Sequence, residues 1–309
     1  MQTTIEPTLT KATLAQPVPC NLCGVDDATL LYAAGVAQIN PIVRCNRCNL
    51  MYASPRAKAP DHVEIEAWED DPSFDMAQRR PQRYEKERLQ VRDYAGTRRL
   101  LAELYPQRGR LLELGSSMGF LLQAFHNDGW DVLGVDPNRY ACRHAREKLG
   151  LPAIASTLEE ADIPDASFDV VVMLHVIEHV PDPLATLREI NRVLKPGGHL
   201  ILETPRYDTW LFRLLGRRER SLSCDGHIYF FTTDTLQKTY ERAGFSLVQL
   251  DIVGRSLTLD RLAYNVGVMS KSKTVQRLLG TASRRLGLQH LKLSLNFGDM
   301  QRVCVRKEC

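Results

Sequence analysis

The spacing of apolar positions changes several times along the chain, and the changes mark out its elements. From Arg110 onward short apolar runs alternate with stretches in which apolar residues recur every third or fourth position. RLLEL at 110–114 reads as a strand, MGFLLQAFHNDG as a helix closed by Gly129, and DVLGVD as a second strand. PNRYACRHAREKLG reads as the next helix, with Pro137 near its first position and Gly150 at its end. LPAIAS and FDVVVML supply two more strands. Asp182 caps and Pro183 starts a helix whose Leu184, Leu187, Ile190 and Leu194 share one face, before a turn at Lys195-Pro196-Gly197-Gly198. HLILET, FSLVQLDIV and MQRVCVRK complete the strands. Upstream, from Tyr84, the positions Val91, Tyr94, Ala95, Leu101 and Ala102 keep a helical spacing until Pro106 and Gly109 stop it.

Continuous apolar strands alternating with amphipathic helices predict a doubly wound, mostly parallel α/β sheet covered on both faces. In such sheets ligands lie beyond the C-terminal ends of the strands, here just after Leu114, Val135, Ala155, Leu174 and Glu203. A length of 309 residues suits roughly two domains, and 25% charged with 44% hydrophobic residues excludes collagen, long disorder and a disulfide scaffold. No window reaches the ~20 apolar residues of a membrane span, and the first residues carry neither a basic nor an apolar leader region, so a cytoplasmic location is expected. The formal charge of +3 is uneven: from Arg255 onward Lys and Arg far outnumber Asp and Glu, and the preceding chain is net acidic.

Four of the 8 cysteines fall into two C-x-x-C pairs, Cys20/Cys23 and Cys45/Cys48, with Ile42 and Val43 entering the second and Leu50, Met51 and Tyr52 leaving it. Two such knuckles joined by a hairpin make the closed tetrathiolate site that structural Zn2+ prefers. A module this small buries too little apolar surface to fold alone, so the metal would decide its folding. Residues 17–53 are expected to form this ribbon, 54–83 a linker rich in Pro, Asp, Glu and Arg, and 84–309 the main domain.

After the first strand of that domain comes Glu113-Leu114-Gly115-Ser116-Ser117-Met118-Gly119 and then a helix. Its glycines allow a sharp turn and a close backbone approach to a ligand, although the spacing lacks the G-x-G-x-x-G dinucleotide fingerprint. The second strand ends in Asp136, placed to accept hydrogen bonds from ribose hydroxyls. Together these features indicate an adenosine-containing cofactor. LLELGSSMGF, VLGVDPN, IPDASFDVVVMLHVIEHVPDP, LKPGG and HIYFFTTDTLQKTYERAGF follow one another as in the class I S-adenosylmethionine-dependent methyltransferases, which the chain resembles over roughly Leu111 to Phe245. It is similar in particular to small-molecule methyltransferases with an N-terminal zinc ribbon. The resemblance implies a seven-stranded sheet and S-adenosyl-L-methionine as cofactor. Glu113, Gly115, Ser116, Ser117 and Gly119 would wrap its methionine moiety, Asp136 and Pro137 would lie at the ribose, and backbone near Thr157 and Leu158 at the adenine. Two departures stand out: the middle glycine of the loop is Ser117, and the acidic residue common after the third strand is missing from Ser156-Thr157-Leu158-Glu159-Glu160.

His175, Glu178 and His179 spell H-x-x-E-H, an inverted zinc-peptidase motif, yet a strand runs into it and Pro181 follows, so a loop is expected instead of a metal-binding helix. His175, at the strand tip, is a candidate base as well as a cofactor contact, while Glu178 and His179 would brace the loop. His227, between Gly226 and a helix opened by Thr232 or Thr233, ranks first as base; His62, His126, His144, His199 and His290 lack such context. A helical insertion is expected at about 255–298, with Val275, Leu278, Leu279, Ala282 and Leu286 on one face and Lys271, Lys273, Arg277, Arg284 and Arg285 around it. A second basic and apolar insertion follows the fifth strand, with Trp210, Leu211 and Phe212 among Arg206, Arg213, Arg217, Arg218 and Arg220. Such insertions suit an anionic or lipid-linked substrate or contact with a membrane surface. The expectation is O-methylation of a small molecule, namely a sugar, glycan precursor or secondary metabolite. An RNA methyltransferase and a non-catalytic binding protein of the same fold are the alternatives. Nothing resembles an RNA-binding module, so nucleic acid is not the expected partner, and the sequence leaves the oligomeric state open.

Overall fold

The computed structural model describes residues 17–34, 40–56, 81–216, 222, 226–258 and 292–308. Three short strands open it: β1 (Ala28–Tyr32), β2 (Ile42–Cys45) and β3 (Met51–Ala53). Helix α1 (Pro81–Gln90) passes through a 3-10 turn at Val91–Tyr94 into α2 (Ala95–Leu104). Then come β4 (Arg110–Leu114), α3 (Phe120–Asn127), β5 (Asp131–Asp136), α4 (Arg139–Leu149), β6 (Ala153–Ala155), β7 (Phe168–Leu174), α5 (Pro183–Val193) and β8 (Leu194–Pro205). The chain continues through α6 (Trp210–Leu215), β9 (Tyr229–Phe230), α7 (Thr233–Arg242), β10 (Phe245–Thr258) and β11 (Lys292–Lys307).

The main sheet has seven strands in the order β10-β11-β8-β7-β4-β5-β6. β6, β5, β4, β7 and β8 are parallel, and β11 returns antiparallel between β8 and β10. Alternation along the strands fills both faces. Leu112, Leu114, Val171 and Met173 pack with Leu184, Leu187 and Ile190 of α5 and Leu236 and Tyr240 of α7. Leu111, Val170, Val172 and Ile201 pack on the other side with Leu101 of α2 and Leu121, Leu122 and Phe125 of α3. The first of these cores also takes in Cys20, Leu22, Cys45, Leu50 and Tyr52, so the cysteine-bearing hairpin is built into the main domain.

Several boundaries differ from expectation. Pro137 lies before the helix: Asn138 is the cap, its side chain accepting from the Tyr140 and Ala141 N–H groups. Lys195 to Gly198 belong to β8 as a bulge against β7, where the register jumps from Phe168↔Leu194 to Val170↔His199. The helix before β4 begins at Pro81, inside the expected linker, and the expected helical insertion at 255–298 is strand at both ends, with Thr258 paired to Lys292. The expected helix of the insertion, with its apolar and basic positions from Lys271 to Leu286, lies outside the described residues, as do Arg217, Arg218 and Arg220. Among the described residues no helix is long and apolar enough to cross a membrane.

Candidate functional site

The strand tips expected to carry chemistry form two clusters. In the first, the loop from β4 to α3 turns through three left-handed residues, Gly115 (φ 77°), Ser117 (φ 44°) and Gly119 (φ 83°). Gly115 N–H donates to the Val135 carbonyl at 2.7 Å, and Ser117 N–H donates to Asp136 Oδ2 at 2.9 Å. Asn138 N–H donates to the other carboxylate oxygen at 2.8 Å, so Asp136 ties the first two βα units together. The space that a Cβ would need at Gly115 is taken by the Val176 side chain, and at Gly119 by Ala145 Cβ at 2.8 Å. On the side where a Cβ would stand, both glycines therefore allow the chain to pack closely on itself.

Three carboxylates meet around this loop. Glu113 is buried, its Oε2 has no hydrogen-bond partner, and the Ser116 hydroxyl is also unpartnered. Burial first, then the charges of Asp136 and Glu87, hold the Glu113 carboxyl well above the usual range. Burial also raises Asp136, against the two backbone N–H groups that favour its ionised form. Glu87, on α1, accepts the Ser117 hydroxyl at 2.7 Å and pairs with Arg83 at 2.9 Å. The cluster therefore has more acid than base, three carboxylates facing the single cation of Arg83 among the described residues. Such a cradle repels phosphate, whereas a molecule with a sulfonium, an ammonium group and ribose hydroxyls would satisfy Glu113 Oε2 and the remaining acceptor capacity of Asp136. S-adenosylmethionine fits that description. At the adenine end, Thr157 is half-buried at the tip after β6, while Leu158 points into the core and offers only its backbone. Pro137 is half-buried between Asp136 and the Asn138 cap.

The second cluster lies at the tips of β7 and β8. His175 takes a left-handed turn (φ 58°) and donates its N–H to the Glu203 carbonyl at 2.8 Å. Its ring stands between two carboxylates, with Nδ1 at 3.6 Å from Glu178 Oε1 and Nε2 at 3.6 Å from Glu203 Oε1. Glu178 is fully buried; its Oε2 accepts the Thr204 hydroxyl at 2.9 Å, while its Oε1 has no hydrogen-bond partner. Burial alone would raise its carboxyl, but the His175 ring beside it, with the charges of His179 and His227, outweighs burial and holds it at about 2. His179 Nδ1 bonds the Gly226 carbonyl at 2.9 Å, and its ring meets His227 edge-on at 4.6 Å. His227 Nδ1 lies 3.4 Å from the Tyr207 hydroxyl. Residues 175–180 contain no helix, and the ligand-type atoms that converge within 4.8 Å belong to Glu178, His179 and His227, not to the H-x-x-E-H pair of histidines. Each acid here has a histidine beside it, which suits an arrangement that holds and moves a proton.

The four paired cysteines also converge, with Cys20 Sγ 3.3 Å from Cys48 Sγ and Cys23 Sγ 3.5 Å from Cys45 Sγ. Those separations are far beyond a disulfide bond and close to the ~3.8 Å of sulfurs arranged tetrahedrally about zinc. Burial pushes the Cys20 and Cys48 thiols up, the latter to about 11, while N–H groups of Cys48 and Arg47 overcome burial and lower Cys45. Four sulfurs this close, those of Cys20 and Cys45 buried and those of Cys23 and Cys48 half-buried, suit a dication that holds them as thiolates.

The expected site residues thus divide between the three clusters, and the structure adds others. Glu87 joins the cofactor loop from a helix whose first residues read as linker. Glu203, named only as a strand end, flanks His175 because β7 and β8 pair Leu174 with it. Tyr207 and the strand β9 were not foreseen.

The strand order of the main sheet, with one antiparallel strand between β8 and β10, defines a class I methyltransferase fold. A family model described as a methyltransferase domain matches residues 81–250, and the chain belongs to that family. Among curated relatives, a ubiquinone biosynthesis O-methyltransferase of Aliivibrio fischeri (strain ATCC 700601 / ES114) is 33% identical over 118 residues, covering 36% of this chain and 50% of that protein. One of Alkalilimnicola ehrlichii is 35% identical over 115 residues, covering 35% and 47%. The chain spans about half the length of the curated relatives it matches. A methyltransferase solved in complex with the Haloferax volcanii Trm112 methyltransferase activator superposes with a TM-score of 0.52 at 18% identity, covering 73% of this chain and 94% of that one, which shows the shared fold.

Proposed function

We propose that the protein is an S-adenosylmethionine-dependent methyltransferase acting on a hydroxyl of a small, polar acceptor. The observation that carries this reading is the acid-rich cradle of Glu87, Glu113 and Asp136, which calls for a cationic ligand. When bound, the cofactor supplies an electrophilic methyl group. Glu113 and Glu87 would face its positive charges, Asp136 its ribose, the backbone at Thr157 and Leu158 its adenine, and Ser117 and Ser116 the methionine end. Holding donor and acceptor in line is worth roughly 7–11 kcal/mol of barrier.

On the acceptor side His227 would take the hydroxyl proton, a contribution of ~10²–10⁴ in rate. Tyr207 and His179 would orient its ring, and His175 would contact the acceptor while clamped between Glu178 and Glu203. A lining of histidines, carboxylates and a phenol supports an acceptor rich in hydroxyls, such as a sugar, glycan precursor or polar secondary metabolite. The names of the curated relatives support oxygen as the methylated atom. In the ribbon, Cys20, Cys23, Cys45 and Cys48 would hold a structural Zn2+ with no open coordination position.

The test is a screen with methyl-labelled cofactor against pools of hydroxylated metabolites, with products identified by mass spectrometry. A labelled product carrying the methyl on oxygen is expected. Label on nitrogen or carbon would replace the hydroxyl reading, and transfer to RNA alone would replace the small-molecule one.

A further inference from the structure

We infer that the cysteine ribbon, together with Arg56, is a positioning device for the acceptor-side histidines, holding the His179 and His227 loops against each other while the cofactor cradle stands without it. What those histidines do rests on the proposed function; how they are held rests on the geometry.

The two residues of β9 follow His227 almost directly, and they form the fourth strand of the ribbon's own sheet, in the order β1-β2-β3-β9. Met51 pairs with Phe230 and Tyr52 with Tyr229, and Ala53 N–H donates to the Ile228 carbonyl at 2.9 Å. Ile228 and Tyr229 N–H groups donate to the backbone carbonyl of Glu178, the residue before His179, at 2.9 and 3.2 Å. A strand this short cannot keep its place unaided. His227 is therefore held through the ribbon on one side and through the His179 loop on the other.

Arg56 locks the three segments together. It is buried, its Nη2 donates to the Pro181 carbonyl and to the Tyr229 hydroxyl, both at 3.1 Å, and its guanidinium lies 5.0 Å from the centre of the Tyr229 ring. The Tyr229 hydroxyl in turn donates to the Pro181 carbonyl at 3.0 Å. Among the described residues no carboxylate bonds this buried guanidinium and its Nη1 is unpartnered, which makes it a costly way to fill space. The first knuckle adds a further tie: Asn21 donates to Asp182 at 2.7 Å and accepts the Leu184 N–H at 3.2 Å, fixing the start of α5 just after His179. The bonds described above for Glu87, Glu113 and Asp136 involve no ribbon residue.

The test is hydrogen exchange read by mass spectrometry alongside S-adenosylmethionine calorimetry, on the full chain with zinc, after zinc removal, and as Arg56→Met and Arg56→Lys. Zinc removal and Arg56→Met should each speed exchange about tenfold in peptides covering 178–181 and 226–230, with exchange in β4 and β7 unchanged. The cofactor dissociation constant should stay within about twofold, and Arg56→Lys, which keeps a donor for Pro181, should restore most of the protection. Unchanged exchange at 226–230 would overturn the inference. So would a rise spread evenly over the sheet with loss of cofactor binding, which would make the ribbon part of the global fold only. Failure of the intact protein to bind S-adenosylmethionine would strike the proposed function, while the exchange comparison would still decide the clamp.

Discussion

The two clusters at the strand tips use the same residue types in opposite ways. At the cofactor end Glu87, Glu113 and Asp136 crowd together with one arginine. At the acceptor end Glu178 and Glu203 stand on either side of His175, with His179 and His227 close by. Burial raises the Glu113 and Asp136 carboxyls, whereas at Glu178 histidine outweighs burial. A site short of positive charge is completed by a ligand that brings it. A site whose carboxylates already face imidazoles can pass a proton among its own groups. The contrast assigns binding to one end and proton handling to the other.

Separating the two ends by mutation is the strongest challenge. His227→Ala should lower turnover by ~10²–10⁴ while the cofactor dissociation constant is unchanged in calorimetry. A parallel loss of cofactor affinity would merge the two ends into one. Asp136→Ala should do the reverse, weakening cofactor binding by about 10- to 100-fold, the ~1.5–3 kcal/mol of hydrogen bonds to a charged group. Turnover at saturating cofactor should then recover most of its value.

The charge argument is sharpened by pH. The folded state holds the Glu113 proton more tightly than the unfolded chain does, so the folded state carries more bound protons between the ordinary 4.5 and the raised value. Stability of the cofactor-free protein should therefore fall as pH rises through that window, and Glu113→Gln should flatten the trend in thermal melts. A cationic cofactor favours the ionised form, so its binding should release a proton, visible as a buffer-dependent enthalpy. Glu113→Gln should abolish that dependence.

Two smaller effects follow. His175→Ala leaves two buried carboxylates without their shared histidine and should destabilise by about 1–3 kcal/mol; the 3.6 Å contacts and the partial exposure of the ring keep this below the full cost of breaking a buried pair. Ser117→Gly relieves a left-handed serine worth roughly 1–2 kcal/mol but gives up the bond to Glu87, so the melting temperature should move by only a few degrees.

The sheet, its helices and the cysteine pairs were legible because each is written in local periodicity or spacing. Leu184, Leu187 and Ile190 announce the buried face of α5, and Asp182 its cap. What escaped was set by distant partners. Glu87 carries no local mark of a site residue, and only the fold brings it to Ser117. Tyr229 and Phe230 sit in an aromatic run with no alternation, and they become a strand because Met51 and Tyr52 offer an edge. Arg56 read as linker for the same reason. The glycines of the loop were located correctly, yet the side chains that fill the space beside them, Val176 and Ala145, come from elsewhere in the chain.

The central claim is that the acid-rich cluster of Glu87, Glu113 and Asp136 receives a sulfonium. Titration calorimetry of S-adenosylmethionine into the intact protein and into Glu113→Gln tests it most directly. The account predicts one-to-one binding with proton release in the first case, and weaker binding without proton release in the second. No binding to the intact protein, or preferential binding of a nicotinamide dinucleotide, would contradict it.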